Sequence, residues 1–580
     1  MPQTTDASQT ANDRVEGRER AEHDVIIVGA GIAGLYAIYR LRQLGLNVHA
    51  FEAGSGVGGT WFWNRYPGCR CDVESMEYSF SFSPELEQAW RWPERYGTQP
   101  EILRYVEHVA ERFDLMRDVS LNTRVTGAWF DAESTCWTVT TEAAGDSKRL
   151  RAPYLLMCTG NLSTPRVPNF PGLEDFEGDW YHTGLWPPEG VDFSGKRVGL
   201  IGTGSSGVQS IPLIAEQAKH LHVFQRTANF ILPAHNGPLP DAEEREHKAN
   251  YRALRKAAYD TPFGIAGYPP PTDGALDVSE AERNATYQAK WDKGGTISFL
   301  YAYTDLLTNE AANETAAEFV RNRIRATVTD PETAELLCPT DHPIGTKRLI
   351  LDTHYFETFN RDNVTLVDAR SAPIETITAS GIRTADREYQ FDAIVFATGF
   401  DAMTGAMKEM DIRTSQGADI TSKWADGPKT YLGIMMSEFP NLFMVTGPQS
   451  PGVKSQMILS IEQHVDFIAQ CLAHMAERGF ERIEVEAEAE ADWVQHNNDV
   501  ANATLYPKAN SWYMGANIPG KPRIFMPYVG GVHTYYRRCQ AIIASDFEGF
   551  AMSAGDAGAP PRAAPAGGFS GGGVEKGGRP

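Results

Sequence analysis

Two short apolar runs in this chain are each followed by a glycine-rich turn and a helical pattern. The first run, Val25–Val28, is apolar at every position, as in a strand that is buried on both faces of a parallel sheet. A strand pattern resumes after the helix, at 48–51. A second copy of this unit begins at Val198–Ile201 and reaches its next strand at 222–225. The pattern therefore predicts an α/β protein with two βαβ units of the dinucleotide-binding (Rossmann-like) kind.

The pattern between and after these units predicts how the chain is divided into domains. Three prolines lie within 162–172, as in a segment that crosses between domains. The stretch from 233 to 339 is polar and helix-rich, without a buried-strand pattern, and we interpret it as a helical insertion. Strand patterns return at 364–367 and 394–397, and we expect the chain to re-enter the first domain at the latter. The predicted units are a discontinuous first domain (22–160 and 390–550), a second domain (161–232 and 340–389), the insertion (233–339) and a C-terminal tail (551–580).

Composition and charge exclude several classes of protein. The 580 residues are 42% hydrophobic and 22% charged, which is enough to bury cores in more than one domain. A net charge of −22 without a basic block argues against nucleic acid or an anionic membrane as the main partner. The longest apolar run, 25–38, is too short to span a bilayer, and no signal-peptide pattern opens the chain. We therefore expect a cytoplasmic protein. The sequence indicates no oligomeric state and is compatible with a monomer.

The tail and the cysteines add two smaller expectations. Residues 551–580 are dominated by Gly, Ala and Pro, and such a composition is typical of disordered segments. The seven cysteines are an odd number scattered over a long chain, unlike a disulfide framework, so we expect reduced thiols. No metal site is predicted.

Both glycine-rich turns have the spacing GxGxxG. Each follows a buried strand and opens a helix, and in that context the glycines let backbone N–H groups approach a pyrophosphate at the helix N-terminus. A single match would be weak evidence, but two in the right context make chance a poor explanation. The candidate phosphate-binding residues are Gly29, Gly31 and Gly34 in the first motif and Gly202, Gly204, Ser205, Ser206 and Gly207 in the second.

The residues at the ends of the second strands distinguish the two nucleotides. Glu52 ends the second strand of the first unit, where a carboxylate accepts hydrogen bonds from a ribose 2′-OH and repels a 2′-phosphate. That site suits FAD or NAD. The second unit has Arg226 and Thr227 at the corresponding place, and a guanidinium with a hydroxyl favours the 2′-phosphate of NADP. Together the two sites predict an enzyme in which NADPH reduces FAD.

The electrons could then pass to a dithiol or to dioxygen. Cys69 and Cys71 are the only close pair of cysteines, and their CxC spacing does not match the CxxC redox motif. Dioxygen is therefore the favoured acceptor. A disulfide reductase and a nucleotide-binding redox sensor without turnover are weaker alternatives.

The segment before the second glycine motif resembles a known fingerprint. Residues 176–187 match FxGxxxHxxxWP, the pattern of type I Baeyer–Villiger monooxygenases, at every specified position. Related N-hydroxylating and sulfur-oxygenating flavoprotein monooxygenases share the front of this pattern but typically lack its Trp-Pro ending. The fingerprint residues are Phe176, Gly178, His182, Trp186 and Pro187.

The resemblance covers the chain from about Asp24 to Phe550 and is closest to phenylacetone and steroid monooxygenases. The segments 58–68 and 71–75 resemble the part of this family that surrounds the flavin, 345–349 its catalytic arginine loop, and 511–521 its nicotinamide-side loop. The resemblance implies FAD contacts from Gly59, Thr60, Trp61, Trp63, Asp72, Tyr78, Val125 and Met457, and NADP contacts from Gln209, Lys347, Arg348 and Trp512.

The resemblance also implies roles and a reaction. Arg348 would stabilise the anionic flavin peroxide and the oxyanion formed on the ketone, with Asp72 paired to it. Lys347 would join Arg226 at the 2′-phosphate, and Trp512 would donate its indole N–H to NADP. His182 would steady the link between domains instead of titrating. The expected reaction uses NADPH and O₂ to convert a ketone to an ester or lactone through a C4a-peroxyflavin.

The sequence leaves the ketone open. Residues 447–457 align with the family's substrate loop, but Gln449 and Lys454 replace the small and apolar residues of the phenylacetone enzyme. We expect a bulky cyclic, aromatic or steroid-like ketone. The nearest alternative activity is oxygenation of nitrogen or sulfur.

Overall fold

The two predicted βαβ units each lie at the centre of a parallel five-stranded sheet. The computed structural model describes residues 21–554, so all but the first residues of the predicted tail lie outside the described part. The strands are β1 (Val25–Val28), β2 (Val48–Phe51), β3 (Val119–Ser120), β4 (Arg124–Asp131), β5 (Cys136–Ala143), β6 (Asp146–Ala152), β7 (Tyr154–Met157), β8 (Asp179–His182), β9 (Arg197–Ile201), β10 (His220–Gln225), β11 (Ile231–Pro233), β12 (Ile350–Asp352), β13 (Val364–Asp368), β14 (Ile374–Thr378), β15 (Gly381–Thr384), β16 (Glu388–Gln390), β17 (Ala393–Phe396), β18 (Asp411–Thr414), β19 (Leu442–Met444), β20 (Arg482–Val485) and β21 (Phe550–Ser553).

Helices cover the sheets and form the insertion. They are α1 (Ile32–Arg42), α2 (Thr60–Trp63), α3 (Pro84–Ala89), α4 (Gln99–Arg112), α5 (Ser205–Gln217), α6 (Asp241–Ala258), α7 (Glu280–Lys293), α8 (Thr296–Leu300), α9 (Glu310–Thr327), α10 (Pro331–Leu337), α11 (Tyr355–Thr358), α12 (Gly405–Lys408), α13 (Ile420–Lys423), α14 (Met457–Arg478), α15 (Ala487–Asn502) and α16 (Val532–Ala544). None of the helices in residues 21–554 is long and apolar enough to cross a bilayer.

The first sheet has the strand order β19-β7-β1-β2-β3 and all its neighbours are parallel. All four residues of β1 are buried, because the sheet is covered on both faces. The predicted strands 25–28 and 48–51 coincide with β1 and β2. A smaller four-stranded sheet, in the order β18-β4-β5-β6, packs in the same domain.

The second sheet has the strand order β13-β10-β9-β17-β8, again parallel throughout. This order corrects the predicted boundary at residue 390, because β17 pairs with β9 and β8 instead of with a strand of the first domain. A four-residue apolar strand has the same pattern in either sheet, so the sequence did not reveal which sheet it joins. The chain returns to the first sheet only at β19, where Leu442 pairs with Leu155.

The end of the chain also differs from the prediction. Residues 551–553, assigned to a disordered tail, belong to β21, which pairs antiparallel with β20 from Arg482↔Ser553 to Val485↔Phe550. The rest of the predicted tail lies outside the described residues.

The insertion consists of helices α6 to α10, between the paired strands β11 and β12. Polar caps start three of these helices: the side chains of Ser279, Asn309 and Asp330 accept N–H groups at the starts of α7, α9 and α10. The partly buried Arg255 of α6 donates to the carbonyl oxygens of Glu77 (2.9 Å) and Ser79 (3.1 Å) and so ties the insertion to the first domain. The insertion therefore contacts both the domain that contains it and the first domain.

Candidate functional site

The first glycine motif is a turn in which each position requires glycine for a different steric reason. Gly29 has φ +99°, a conformation that L side chains rarely adopt, and a Cβ there would lie 2.6 Å from the carbonyl oxygen of Cys158. A Cβ on Gly34 would overlap the carbonyl oxygen of Gly29, so the third glycine allows α1 to pack against the turn. Gly31 faces Gly59, and a Cβ on Gly31 would lie 3.3 Å from the Cα of Gly59. The α1 N-terminus has no side-chain cap, which leaves its N–H groups for an anion.

Glu52 stands at the end of β2, beside this turn. Its side chain is buried, and it accepts N–H groups of Ala30 (2.9 Å) and Gly54 (2.8 Å). These bonds hold the carboxylate against the glycine turn, while each oxygen keeps a lone pair for another donor. The position and charge fit the ribose hydroxyls of an adenine nucleotide.

The segment predicted to surround the flavin folds back onto the first motif. Thr60 opens α2 directly after Gly59, and the buried Trp61 donates its indole N–H to the Tyr78 hydroxyl at 3.2 Å. Trp63 is 40% exposed. Two further predicted flavin contacts lie far from this segment in the sequence: Val125 is buried in β4, and Met457 opens α14.

The second glycine motif repeats the geometry of the first. Gly202 has φ +110°, and a Cβ on Gly207 would overlap the carbonyl oxygen of Gly202. Gly204 differs, because a Cβ there would have nothing within 4 Å. Gly204 is also the N-cap residue of α5, and no side chain caps the helix there. Ser205 and Ser206 follow it. Open space above an uncapped helix start is the room that a pyrophosphate needs.

Gln209 of α5 links the two domains. Its amide accepts the Tyr66 hydroxyl at 2.8 Å and donates to the carbonyl oxygen of Arg70 at 3.1 Å. Gly68, between these residues, packs so closely that a Cβ would overlap the Gln209 carbonyl. The residue predicted to bind NADP therefore holds the flavin-side segment against the second nucleotide motif.

A group of cations surrounds the end of β10. Arg226 is exposed, and burial lowers the pKa of Lys347, with the charges of Arg226 and Arg370 lowering it further against the opposing effect of Asp341. Arg370 donates to the Arg226 carbonyl oxygen (3.1 Å) and pairs with Asp341 (2.8 Å). Three cations with one carboxylate leave an excess of positive charge, which fits a phosphate dianion.

Arg348 is held between two segments that are distant in the sequence. Its Nε and Nη2 donate to the two carboxylate oxygens of Asp72 at 2.7 and 2.6 Å, and its Nη1 donates to the Val453 carbonyl oxygen at 2.7 Å. Burial alone would lower the pKa of Arg348, but the Asp72 carboxylate more than offsets this and raises it. The guanidinium is thus permanently charged and fixed in one orientation.

The loop that carries Arg348 is anchored by the insertion. Buried Asn313 of α9 donates to the carbonyl oxygens of Leu306 (2.6 Å) and Ile344 (2.8 Å) and accepts the Ile344 N–H (2.9 Å). The next residue, Gly345, has φ +85° and packs against leucines of the insertion. The position of Arg348 therefore depends on the insertion as well as on Asp72.

The fingerprint lies where β8 ends, beside the crossing segment. Buried His182 accepts the Gly184 N–H at Nδ1 (3.0 Å), so its Nε2 carries the proton and donates to the Thr398 hydroxyl (3.2 Å). Thr398 in turn donates to the carbonyl oxygen of Arg166 at 2.6 Å. Burial lowers the pKa of His182 to about 4, so the imidazole is neutral near pH 7. These bonds join β8, the end of β17 and the crossing segment.

The other fingerprint residues pack or turn the chain. Phe176 and Trp186 are buried in separate cores of the second domain. Gly178 approaches the Asp392 carbonyl so closely that a Cβ would lie 2.7 Å from its oxygen, and Pro187 starts a turn that ends at Gly190. The spacing of these fingerprint residues is therefore explained by their packing and by the turn.

The nicotinamide-side loop leaves polar groups without protein partners. Trp512 is partly buried against Tyr513, and no hydrogen bond within residues 21–554 uses its indole N–H. Three buried side-chain atoms here also lack partners: Nδ2 of Asn161, Oγ of Ser511 and Oδ1 of Asn517. Orphaned buried polar atoms are costly, so this junction fits a polar ligand such as a dinucleotide.

Three comparisons with known proteins bear on this site. A family model described as flavin-binding monooxygenase-like matches residues 22–237. A Baeyer–Villiger monooxygenase of Pseudooceanicola batsensis is 42% identical over 92% of this chain and 96% of its own length. The chain belongs to the Baeyer–Villiger monooxygenase family. A structure of oxidized steroid monooxygenase bound to NADP is 52% identical, with a TM-score of 0.87 over 91% of this chain and 99% of that one. A phenazine N-monooxygenase of Lysobacter antibioticus is 39% identical over 92% of this chain and 98% of its own length.

These findings confirm the predicted family, the α/β fold class and the FAD and NADP cofactor pair. The roles of single site residues in this Baeyer–Villiger monooxygenase stay predictions. Two residues near the site were missed by the sequence analysis. Arg370 follows β13, which pairs in parallel with the nucleotide-binding strand β10. Residues at the end of such a neighbouring strand lie beside the nucleotide site, and this was the signal that could have found Arg370. Asn313 had no such signal, because only the fold brings α9 to the arginine loop.

Proposed function

We propose that this protein uses NADPH, FAD and O₂ to convert ketones to esters or lactones. The observation that carries the proposal is the fixed Arg348–Asp72 pair, placed between two nucleotide motifs in a member of the Baeyer–Villiger monooxygenase family. An enzyme that only oxidised NADPH would not need a rigid cation at this place.

The chain's own residues support each requirement of the reaction. Bound FAD would supply the chemistry that activates dioxygen, and the first glycine motif with Glu52 and Trp61 would hold it. Arg348 has five N–H donors; three of them bind Asp72 and Val453, the Tyr513 hydroxyl also faces the guanidinium, and the remaining donor capacity would serve an anionic oxygen. Since that charge is preorganised, stabilising an oxyanion costs no reorganisation at the moment of reaction.

The second motif and the cation group would hold NADPH. Arg226, Lys347 and Arg370 supply the excess of positive charge for the 2′-phosphate, and the open helix start at Gly204 accommodates the pyrophosphate. Trp512 would donate to the nicotinamide side. The site lies at the junction of two domains joined through Gln209, so the two cofactors would meet there.

The substrate class and the cellular location are also part of the proposal. The steroid monooxygenase is named for a polycyclic substrate, and this supports a bulky cyclic or aromatic ketone as the substrate of this protein. The buried, unpaired thiols of Cys69 and Cys71 are typical of a reducing compartment, and we place the enzyme in the cytoplasm.

Product analysis tests the proposal. The purified holoenzyme receives NADPH and a panel of cyclic and aryl ketones under ¹⁸O₂, and products are identified by mass spectrometry. We expect one ¹⁸O atom in an ester or lactone and one NADPH consumed per product. NADPH oxidation that yields only hydrogen peroxide with every ketone would contradict the proposal.

A second activity, N-oxygenation, is favoured by one specific finding. The phenazine N-monooxygenase matches this chain almost as well as the Baeyer–Villiger relative does. Parallel reactions with ketones and with heteroaromatic amines separate the two. An N-oxide formed faster than any ester would replace the first proposal with this one.

A further inference from the structure

Lys454 is an ammonium group inside the site without an anionic partner. It lies in the predicted substrate loop, directly after Val453, whose carbonyl binds Arg348. Its Nζ lies 4.5 Å from the ring centroid of Tyr506 and 4.6 Å from that of Tyr513. Within residues 21–554, neither a carboxylate nor a hydrogen-bond acceptor contacts this Nζ.

The cavity around Lys454 is mostly apolar. Its lining includes Phe263, Ile297, Leu300 and Leu349, with Arg348 at the same cavity. Taking an ammonium out of water without an opposite charge is costly, and the two tyrosine faces compensate only in part. A lysine kept in this position fits a ligand that brings the missing negative charge.

The protein's own carboxylate does not provide that charge. Asp72 is the only carboxylate that lines this cavity in the described part of the chain, and both of its oxygens bind Arg348. Lys347, also at the cavity, adds a further positive charge and interacts with Asp341 and the cation group of the NADP site. The cavity therefore has a net positive charge before substrate enters.

We propose that Lys454 binds a carboxylate on the ketone substrate, so that the enzyme prefers keto acids to neutral ketones. This inference rests on the proposed ketone oxidation and specifies its substrate class. The rigid Arg348 serves the carbonyl end of the substrate, and the flexible Lys454 binds its acidic end. A lysine suits this task because its four-carbon stem can follow carboxylates at different distances from the ketone.

Matched substrates test the proposal in the holoenzyme. We choose 4-oxocyclohexanecarboxylate, 4-oxocyclohexylacetate and 3-(4-oxocyclohexyl)propanoate, each beside its primary amide. The amides have nearly the same shape but no charge. In the wild-type enzyme we expect kcat/KM for at least one carboxylate to exceed that for its amide about tenfold or more.

Variants of Lys454 assign this preference to the side chain. Lys454→Met should lower the carboxylate-to-amide ratio about tenfold, whereas Lys454→Arg should keep it. Exposed Lys429 is the matched control, and Lys429→Met should leave the ratio unchanged. The ratio is the readout, because a merely structural role of Lys454 would change both substrates equally.

The pH dependence supplies an independent readout. Burial and, to a smaller extent, the charge of Arg348 together lower the pKa of Lys454 to about 7. The groups that face it are Arg348 from the arginine loop and the rings of Tyr506 and Tyr513 from the C-terminal part. The ammonium is present below this pKa and lost above it. The wild-type ratio should therefore fall between pH 6 and about 8.5, and that of Lys454→Arg should stay flat.

An equal carboxylate-to-amide ratio in wild type and Lys454→Met would overturn the inference. If that equal ratio comes with an equal loss of activity on both substrates, Lys454 belongs to the shared oxygenation step. Lactone formation from unsubstituted cyclohexanone is measured in the same samples. If cyclohexanone yields its lactone but the carboxylate-to-amide ratio does not change in Lys454→Met, only this inference fails. If no ketone yields a lactone, the proposed function fails.

Discussion

Lys347 and Arg348 are adjacent in the chain but interact with different charges. Lys347 belongs with Arg226 and Arg370 at the second nucleotide motif, and Arg348 pairs with Asp72 on the flavin side. If Lys347 serves NADPH binding and Arg348 serves oxygenation, as we propose, a shift of this loop should disturb both functions together. Their assignment to separate tasks can be tested one residue at a time.

The cation group predicts the preference for NADPH. Arg226→Ala should raise KM for NADPH about tenfold or more, since charge-assisted hydrogen bonds contribute about 1.5–3 kcal/mol. Arg370→Ala should act in the same direction. KM for NADH should change little in either variant, because NADH lacks the 2′-phosphate. Steady-state kinetics with both cofactors measures this.

Exposed Arg383, on β15 of the same domain, is the control for these variants. Arg383→Ala should leave both KM values unchanged. Equal losses for NADPH and NADH in Arg226→Ala would contradict the assignment to the 2′-phosphate.

His182 predicts a pH dependence of stability. Its pKa falls from about 6.5 in the unfolded chain to about 4 in the folded protein, so the folded state favours the neutral form. The unfolded chain binds a proton first as the pH falls, and the stability from this group is present above pH 6.5 and lost between there and about 4. At 1.4 kcal/mol per pKa unit, the loss is on the order of 3 kcal/mol.

Thermal unfolding at pH 7.5 and pH 5 measures this effect. His182→Gln should show a smaller difference in Tm between the two pH values than wild type, because its side chain does not titrate. His220 of the same domain has a hydrogen bond to Thr365 and a partly exposed position, and His220→Gln is the control. A pH dependence identical in His182→Gln and wild type would contradict a buried neutral His182.

At the scale of elements, the insertion helix α9 anchors the loop that carries Arg348 through Asn313. Asn313→Ala should lower kcat and the ester formed per NADPH several-fold, because Ile344 loses both of its anchoring bonds. Each buried group left without a partner also costs about 1–3 kcal/mol of stability. Flavin content should stay normal, since the first glycine motif is distant in the chain.

Exposed Asn322 lies on the same helix, and Asn322→Ala should behave as wild type. Coupling is measured as ester and hydrogen peroxide per NADPH. A variant of Asn313 that loses stability but keeps wild-type coupling would show that the anchor is structural only.

The elements also show what the sequence could predict. The strands β1, β2 and β9 and the two glycine turns were predictable, because a buried apolar run followed by GxGxxG has one common structural solution. The sheet to which β17 belongs was not, because Ala393–Phe396 is compatible with burial in either domain. Strand order depends on contacts between distant segments, which local patterns do not contain.

The same distinction holds for the site. Glu52 and Arg226 could be located from their offsets to the glycine turns, and Arg348 and Asp72 only from a resemblance. The bond from Arg348 to Val453 and the placement of Lys454 against Tyr506 required the fold, because the first joins residues 105 positions apart and the second joins residues 52 positions apart.

At the scale of the whole molecule, the two domains and the insertion meet at one junction. Gln209 ties the second motif to the flavin-side segment, Arg255 ties the insertion to the first domain, and Arg348 binds Asp72 and Val453 of the first domain. Each unit therefore supplies part of the site, and none contains it alone. The central claim is that Arg348 serves oxygenation instead of hydride transfer.

Two rates in Arg348→Ala test this claim most directly: the reduction of bound FAD by NADPH in stopped flow, and ester formation at steady state. We predict reduction at a rate close to wild type, because Lys347, Arg226 and the glycine turns are unchanged. Ester formation should fall by about 10²- to 10³-fold, the usual effect of removing a preorganised oxyanion stabiliser, with hydrogen peroxide formed instead. Wild-type ester yield from Arg348→Ala would contradict the account, and an enzyme that NADPH cannot reduce would assign Arg348 to nicotinamide positioning.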